Sequence, residues 1–286
     1  STLNIVRLSI SPSNLTPSQG GTMASQSIQD FFHPVSGTIS YVVTDKETNE
    51  AIVIDPVADY DVENDAISYE SAQEILAYVE THQLHIVAIL ETHIHTDHLS
   101  GSFYLSKQLQ VPIYVSEGVK EVYADWKEEL CLSELYHFEH FLLENEQMDF
   151  GHSHLEVINT PGHTRSDVSF KIGDALFVGD SLSFHNTGNV DVPGGNAEKM
   201  FESIRKLYAL KDSTEVYLGH DCLDSEGHPH HKTTIGEEKH QNEMLNASTS
   251  KQEFIDHRGE CDQKVTPPKL VKPALEFNLT SLRSGA

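Results

Sequence analysis

Residues 93–98 of the sequence contain four side chains that can bind metal ions: His93, His95, Asp97 and His98. Imidazole nitrogens and carboxylate oxygens bind Zn or Fe ions at about 2.0–2.2 Å. In an extended segment, residues i and i+2 point to the same side, so we expect His93 and His95 to face one ion. Asp97 and His98 would then face a neighbouring position. The spacing therefore predicts a site for one ion or for two adjacent ions.

Three more residues of these types stand in comparable places along the chain. His163, Asp180 and His220 each come after a short apolar run that predicts a β-strand, and His93 itself follows the run at 84–90. Several strands can end at one edge of a pair of sheets, where loops are free to present side chains. We therefore expect the four segments to converge on one site.

The elements that must position these residues form a mixed order of helices and strands. Apolar runs at 37–43 and 51–55, joined by polar residues, predict a β-hairpin. Helical spacing of apolar residues predicts helices at 70–83, 99–109 and 197–209. Further strands are predicted at 84–90, 111–115, 155–158, 168–172, 175–178 and 215–218. This order is typical of an α/β or α+β fold.

The motifs resemble those of a known family. Residues 93–98 match the His-x-His-x-Asp-His motif of the metallo-β-lactamase superfamily, and 160–164, 177–180 and 218–221 resemble its later motifs in the same order. This resemblance covers nearly the whole chain. It implies a four-layer αββα sandwich with two mixed β-sheets, and Asp180 as a bridging or terminal metal ligand. It also implies that Asp55 is a buried acid that holds a ligand in place without binding the metal itself.

Within the superfamily the chain is most similar to persulfide dioxygenases and to glyoxalase II-like members. The similarity includes residues 191–195 and 233–239, so Asp191 and Cys222 are expected to line the substrate pocket. Two departures bear on the substrate. Dioxygenase relatives carry an Arg shortly before the acid matched by Asp191, and a Tyr near the position where this chain has Cys222. The substrate can therefore differ even where fold and metal agree.

The resemblance leaves two mechanisms open. In the first, His93, His163 and Asp180 are the catalytic ligands of one Fe(II), and a glutathione-persulfide-like thiol is oxidised by O2. In the second, two zinc ions hydrolyse an ester or thioester. One zinc would be bound by His93, His95 and His163, the other by Asp97, His98 and His220, with Asp180 between them. Similarity in the segments outside the motifs favours the first mechanism.

Composition limits the partners and the compartment. Lys plus Arg is 19 against 44 Asp plus Glu, a net charge of −25, which repels nucleic acids and anionic membranes and leaves a small molecule as the expected partner. The three cysteines form no Cys-x-x-Cys pair, which favours a reducing cytoplasm. Residues 1–27 are expected to be a leader or vector-derived segment, and 28–286 a single domain with a C-terminal extension. A homodimer is left open.

Overall fold

The computed structural model describes residues 26–223, 229–264 and 270–282, and for 222, 223 and 229 only the backbone. The helices are α1 (Glu70–Thr81), α2 (Ser102–Leu109), α3 (Val119–Trp126), α4 (Ala197–Leu207), α5 (Ile235–Gln241), α6 (Lys251–Asp262) and α7 (Val271–Thr280). The first strands are β1 (Gln26–His33), β2 (Thr38–Asp45), β3 (Glu50–Ile54), β4 (Val57–Asp61), β5 (Ala66–Ser68), β6 (His85–Leu90), β7 (Leu99–Ser100), β8 (Ile113–Ser116) and β9 (His140–Leu142). The later strands are β10 (Gln147–Phe150), β11 (Ser153–Asn159), β12 (Val168–Ile172), β13 (Ala175–Phe177), β14 (Leu182–Ser183), β15 (Asn186–Thr187), β16 (Glu215–Leu223) and β17 (Pro229–Thr234).

The main sheet consists of two mixed halves. One half has the order β1-β2-β3-β6-β8-β9, in which β3, β6, β8 and β9 are parallel. The other half runs β10-β11-β12-β13-β16, with β17 on the other side of β16. The pairing of His220 on β16 with Thr38 on β2 joins the two halves. One predicted site residue therefore lies at the seam between them.

Consecutive apolar residues on a strand face opposite sides of the sheet, and the clusters that they join define four layers. Ile52 on β3 and Phe170 on β12 belong to a buried cluster between the two halves. Val53, the next residue on β3, faces the other way and packs with Ile75 of α1. On the opposite side, Leu176 of β13 packs with helix α4. Each half of the sheet therefore packs against the other half on one face and against helices on the opposite face. The predicted αββα sandwich with two mixed sheets is confirmed.

The predicted elements correspond to observed ones, with shifts at their ends. The β2–β3 hairpin, helix α1 and helix α4 lie where the apolar pattern predicts them. The helix predicted at 99–109 starts only at Ser102, because Leu99 and Ser100 pair with β4 as a short strand. None of the described helices is long and apolar enough to cross a bilayer. The leader and domain boundaries remain predictions, since residues 1–25 lie outside the described part, although β1 already begins at Gln26.

The strand predicted at 215–218 is shorter than the strand in the structure. Strand β16 continues to Leu223, so His220 lies inside the strand and not after it. The pairing with β17 shifts register between Tyr217 and Cys222, so the ladder there contains a β-bulge or a similar irregularity. A bulge bends a strand and redirects a side chain, and it is common next to active sites. Thus His220 reaches the site by a local irregularity that apolar periodicity does not reveal.

Candidate active site

A buried carboxylate organises the loop that carries the first motif. Asp55, at the end of β3, accepts hydrogen bonds from the backbone nitrogen and from Oγ1 of Thr92, both at 2.7 Å. Because Thr92 Oγ1 donates to Asp55, it accepts a hydrogen bond from His93 Nδ1 at 2.9 Å. The Nε2 atom of His93 therefore carries a free lone pair. Asp55 orients a predicted ligand without occupying its metal-facing nitrogen, the arrangement expected around metal-bound histidines.

His93, His163 and Asp180 come together from three separate segments. Asp180 Oδ2 lies 3.3 Å from His163 Nε2 and 3.7 Å from His93 Nε2. The ligand atoms of the three residues all lie within 4.8 Å of one another. His163 donates from Nδ1 to the carbonyl oxygen of Asn189 at 2.8 Å, so its Nε2 also keeps a free lone pair. The three side chains could hold one ion on one face.

Asp97, His98 and His220 lie beside this group, on the β2 side. His220 donates from Nε2 to Asp97 Oδ2 at 2.8 Å and from Nδ1 to Asp180 Oδ1 at 2.7 Å. His98 Nδ1 lies 3.1 Å from Asp97 Oδ2 and 3.1 Å from Thr38 Oγ1. His95, Asp97 and His98 form a second group whose ligand atoms lie within 4.8 Å of one another. The structure thus brings all seven predicted ligands into one cluster.

Two glycines permit the close approach of the strand ends that carry Asp180 and His220. Gly179 has a φ of +50°, and a Cβ there would overlap Thr92 Oγ1. A Cβ on Gly219 would lie 2.8 Å from the Gly179 carbonyl and 2.9 Å from Asp180 Oδ1. Side chains at these positions would push the ligand segments apart.

Buried ring nitrogens without partners indicate that the cluster fits a metal. Among the described side chains, His93 Nε2, His95 Nδ1 and His98 Nε2 are buried and have no hydrogen-bond partner. In each ring the other nitrogen is engaged; for His95 this is Nε2, which lies 3.1 Å from Glu91 Oε2 and 3.2 Å from Asp55 Oδ1. Buried polar atoms normally have a partner, and orphaned ones call for a specific explanation. Metal binding would account for these lone pairs: His93 Nε2 belongs to the first group of ligand atoms, and His95 Nδ1 and His98 Nε2 belong to the second.

In the protein without metal, electrostatics keep His93, His98 and Asp180 in metal-binding protonation states, whereas the pKa values of His95 and His220 are raised. Burial lowers the pKa of His93 well below its usual value and also lowers that of His98. For Asp180, burial opposes ionisation, but the neighbouring His220 and His163 lower its pKa overall. Burial also lowers the pKa of His220, yet Asp180 and Asp97 more than offset it and raise that pKa well above the usual value. Neutral histidines and ionised carboxylates are the forms that bind metals.

A cavity of about 430 Å³ opens onto the cluster, with Asp97, His163, Asp180 and His220 in its wall. Residues 186–189 and Val192 form much of the rest. The predicted pocket residue Asp191 is exposed and accepts a hydrogen bond from Asn189 Nδ2, and it is not part of this wall. The prediction for Cys222 stays open, because its side chain lies outside the described residues.

With the geometry established, comparison with known proteins settles the family. Residues 34–220 match the family described as the metallo-beta-lactamase superfamily, which is more than half of the chain. The chain belongs to the metallo-beta-lactamase superfamily. A solved member, described as ETHE1 from Myxococcus xanthus, superposes with a TM-score of 0.72 at 28% identity and covers 88% of this chain and 97% of that one.

Curated relatives within the superfamily carry different names. The "Beta-lactamase hydrolase-like protein" of Xylella fastidiosa is 34% identical over 88% of this chain, which spans only 60% of that longer protein. "Glyoxylase B2" of Dictyostelium discoideum is 33% identical, over 85% of this chain and 87% of its own length. The mitochondrial persulfide dioxygenase ETHE1 of Bos taurus is 29% identical, over 82% of this chain and 81% of its own. The relatives thus include both a dioxygenase and a protein with a glyoxalase-type name.

The C-terminal helices contribute contacts to the site that the superfamily motifs do not indicate. Arg258 of α6 lines the cavity and donates from Nη1 to the Thr187 carbonyl at 3.3 Å. Its partner Asp262, 2.6 Å from Arg258 Nη2, accepts a hydrogen bond from the Val190 nitrogen at 3.0 Å. The loop held at both ends supplies the Asn189 carbonyl that orients His163. The Arg258–Asp262 ion pair therefore fixes the backbone of residues 187–190, which orients the predicted ligand His163. We call this ion pair with its two backbone contacts the clamp.

Asn278 of α7 performs a similar task for the first motif. Its Nδ2 donates to the carbonyl oxygens of His95 and His98, at 2.9 and 3.0 Å, and its Oδ1 accepts from the Ser100 nitrogen at 2.7 Å. An amide that is buried with all of these bonds satisfied fixes the turn on which both histidines lie. Nothing in the sequence near Asn278 signals this role. Only the tertiary fold brings it within reach of residues about 180 positions earlier.

Proposed function

We propose that the protein is a sulfur dioxygenase that oxidises a glutathione-persulfide-like small molecule with O2 at one Fe(II) held by His93, His163 and Asp180. The observation that carries this proposal is the convergence of two histidine nitrogens on Asp180 Oδ2, at 3.3 and 3.7 Å. Two histidines and one carboxylate on one face are typical of non-haem Fe(II) oxygenases and leave positions open for substrate and O2. The persulfide dioxygenase relative supports the same choice.

The protein residues around this triad would orient the ligands and stabilise their charge. Thr92 and the Asn189 carbonyl each hold the Nδ1 side of a histidine, which directs Nε2 toward the ion. Iron, when bound, would supply the redox chemistry with O2. His220 donates to both Asp180 and Asp97, and in the protein without metal these carboxylates outweigh burial and raise its pKa. A cationic imidazole between two carboxylates supplies the positive charge that a second metal would supply there.

The second candidate is a dinuclear zinc hydrolase that acts on a thioester or ester. It is favoured by the free lone pairs of His95 Nδ1 and His98 Nε2, which a single-ion site does not use. Two ions sharing a water would acidify it for attack on a carbonyl. The relative named "Glyoxylase B2" supports this candidate.

Metal content and co-substrate separate the two candidates. Protein purified without added metal would be analysed for iron and zinc, then assayed for O2 uptake with glutathione persulfide and for cleavage of a glutathione thioester. We expect about one iron per chain, as a single facial triad requires, and O2 uptake that depends on the persulfide. About two zinc ions per chain, with thioester cleavage and no O2 uptake, would instead support the hydrolase.

A further inference from the structure

A buried glutamate just before the first metal-binding motif holds one of the motif's histidines. Glu91 follows strand β6 and is only 4% exposed. Its Oε2 accepts a hydrogen bond from His95 Nε2 at 3.1 Å, and its Oε1 accepts hydrogen bonds from the hydroxyl groups of Ser100 and Ser102. Glu91 therefore connects the start of segment 91–102 to its middle and to its end. It belongs to none of the motifs that supply metal ligands.

The two serines that contact Glu91 are themselves held in place. The Ser102 nitrogen donates to Ser100 Oγ at 3.0 Å, and the Ser100 nitrogen donates to Asn278 Oδ1 at 2.7 Å. All three residues are buried. A buried carboxylate whose oxygens are both engaged by fixed donors has one orientation. Glu91 can therefore hold the His95 ring in a single direction.

The contact with Glu91 determines which nitrogen of His95 can bind a metal. Asp55 Oδ1 also lies near Nε2, at 3.2 Å. Carboxylates only accept hydrogen bonds, so Nε2 carries a hydrogen and Nδ1 is the nitrogen that remains for a metal. Nδ1 is buried and has no hydrogen-bond partner. The ligand atoms of His95, Asp97 and His98 lie within 4.8 Å of one another, and Nδ1 is the atom that His95 can contribute to this group.

Asp55 cannot replace Glu91 without disturbing a second ligand. Both oxygens of Asp55 accept hydrogen bonds from Thr92, whose hydroxyl in turn orients His93. Without Glu91, His95 Nε2 would turn to Asp55 and compete with Thr92 for the same carboxylate. The two acids thus have separate roles: Asp55 holds His93 through Thr92, and Glu91 holds His95 directly.

We propose that Glu91 is a positioning residue that directs Nδ1 of His95 toward the metal-binding cluster and so strengthens metal binding there. A carboxylate that accepts the hydrogen on the other ring nitrogen of a metal-bound histidine fixes the ring and makes it a better ligand. Glu91 touches neither the ion nor the substrate, and it acts only through His95. Its role rests on the metal site of the proposed function, and it is the same for iron and for zinc.

The test compares zinc binding by Glu91→Met and Glu91→Gln with that of the wild type. Metal-free protein is titrated with zinc in competition with a chelating indicator. Glu91→Met removes the acceptor, so the zinc ion that His95 faces should bind about 10–100-fold more weakly. In Glu91→Gln the amide oxygen can still accept from His95, and the amide nitrogen can donate to a serine hydroxyl. This variant should retain most of the affinity.

Asp45→Leu is the matched control, because Asp45 is also a buried carboxylate with hydrogen-bond donors around it. It accepts from the His152 nitrogen and from Ser153 Oγ, both at 2.9 Å, and it lies at the other end of β2 from Thr38, which contacts the cluster. Its replacement should lower the melting temperature and leave zinc affinity unchanged. With cobalt as the probe, the visible absorption bands should change in Glu91→Met and stay as in the wild type in Asp45→Leu.

Unchanged zinc affinity in Glu91→Met would overturn the proposal. So would an equal loss in Glu91→Met and Glu91→Gln, because the charge of Glu91 and not its hydrogen bond would then support the metal. If Glu91→Met does not fold, nitrogen NMR of His95 in the zinc-loaded wild type decides: hydrogen on Nε2 supports the proposal, and its absence refutes it. If the wild type turns over neither persulfide nor thioester, the proposed function fails, and zinc binding still tests the role of Glu91.

Discussion

The ion pair between Arg258 and Asp262 offers a sharp test of how the C-terminal helix supports the site. Both side chains are almost completely buried, with exposures of 8% and 7%. Asp262 also accepts a hydrogen bond from Val190, and Arg258 donates to the carbonyl of Thr187. The perturbation consists of Arg258→Met, Asp262→Leu and the double variant, in which both charges are replaced by apolar side chains of similar size.

The expected magnitudes follow from the burial. Either single substitution leaves one charge buried without its partner, which costs about 3–5 kcal/mol of unfolding free energy. Asp262→Leu also leaves the Val190 nitrogen without an acceptor, and an orphaned buried donor adds about 1–3 kcal/mol. The double variant leaves no buried charge, so its loss should be well below the sum of the two single losses.

Denaturant unfolding of the wild type, the two single variants and the double variant measures these free energies. Metal titration of the same proteins measures how the loss of the clamp changes the metal affinity of the site that contains His163. Because the clamped loop supplies the Asn189 carbonyl that orients His163, each single variant should bind metal about 10–100-fold more weakly. Lys251→Ala serves as a control, since Lys251 is on the same helix but pairs with exposed glutamates and should change neither quantity appreciably.

Two results would refute this reasoning. Additive losses in the double variant would mean that the two charges do not interact in the folded protein. Unchanged metal affinity in a destabilised variant would mean that the loop keeps the orientation of His163 without the clamp.

Three other changes test the site from different directions. Asp180→Ala should remove most of the bound metal under either mechanism, and full metal content in that variant would contradict the ligand assignment. Asp97→Ala should leave about one iron in place if the site is mononuclear, whereas a dinuclear site would lose its second ion. Burial raises the pKa of Asp167 from 3.8 to about 6, so its stabilising contribution is present below the lower value and is lost as the pH rises through the higher one. In metal-free protein, Asp167→Asn should therefore flatten the pH dependence of unfolding across that window, and an unchanged slope would disprove the shift.

The sequence could predict the residues that carry the chemistry because short patterns specify them. Ligand types packed into residues 93–98, and an apolar run before His163 and Asp180, are local signals. The order of helices and strands predicts only α/β or α+β layers, and the four-layer arrangement is implied by the resemblance to the superfamily. His220 shows the limit of such signals, because the irregular pairing around it depends on β17 and on the contact with Thr38. Register in a sheet is set by partners that are distant in sequence.

The residues that sequence reasoning missed act on the site through distant parts of the chain. Asn278, Arg258 and Asp262 contact backbone atoms of the ligand loops, and a backbone atom leaves no side-chain pattern for a motif to record. The chain lacks the Arg that dioxygenase relatives carry before the acid matched by Asp191, but Arg258 of α6 places a guanidinium in the cavity wall. Asp262 pairs with this guanidinium and neutralises its charge. A substrate anion in this cavity would therefore meet a paired guanidinium. If the clamp is structural, Arg258→Met should weaken metal binding first and affect substrate KM only as a consequence; a raised KM at full metal occupancy would show instead that the guanidinium binds the substrate directly.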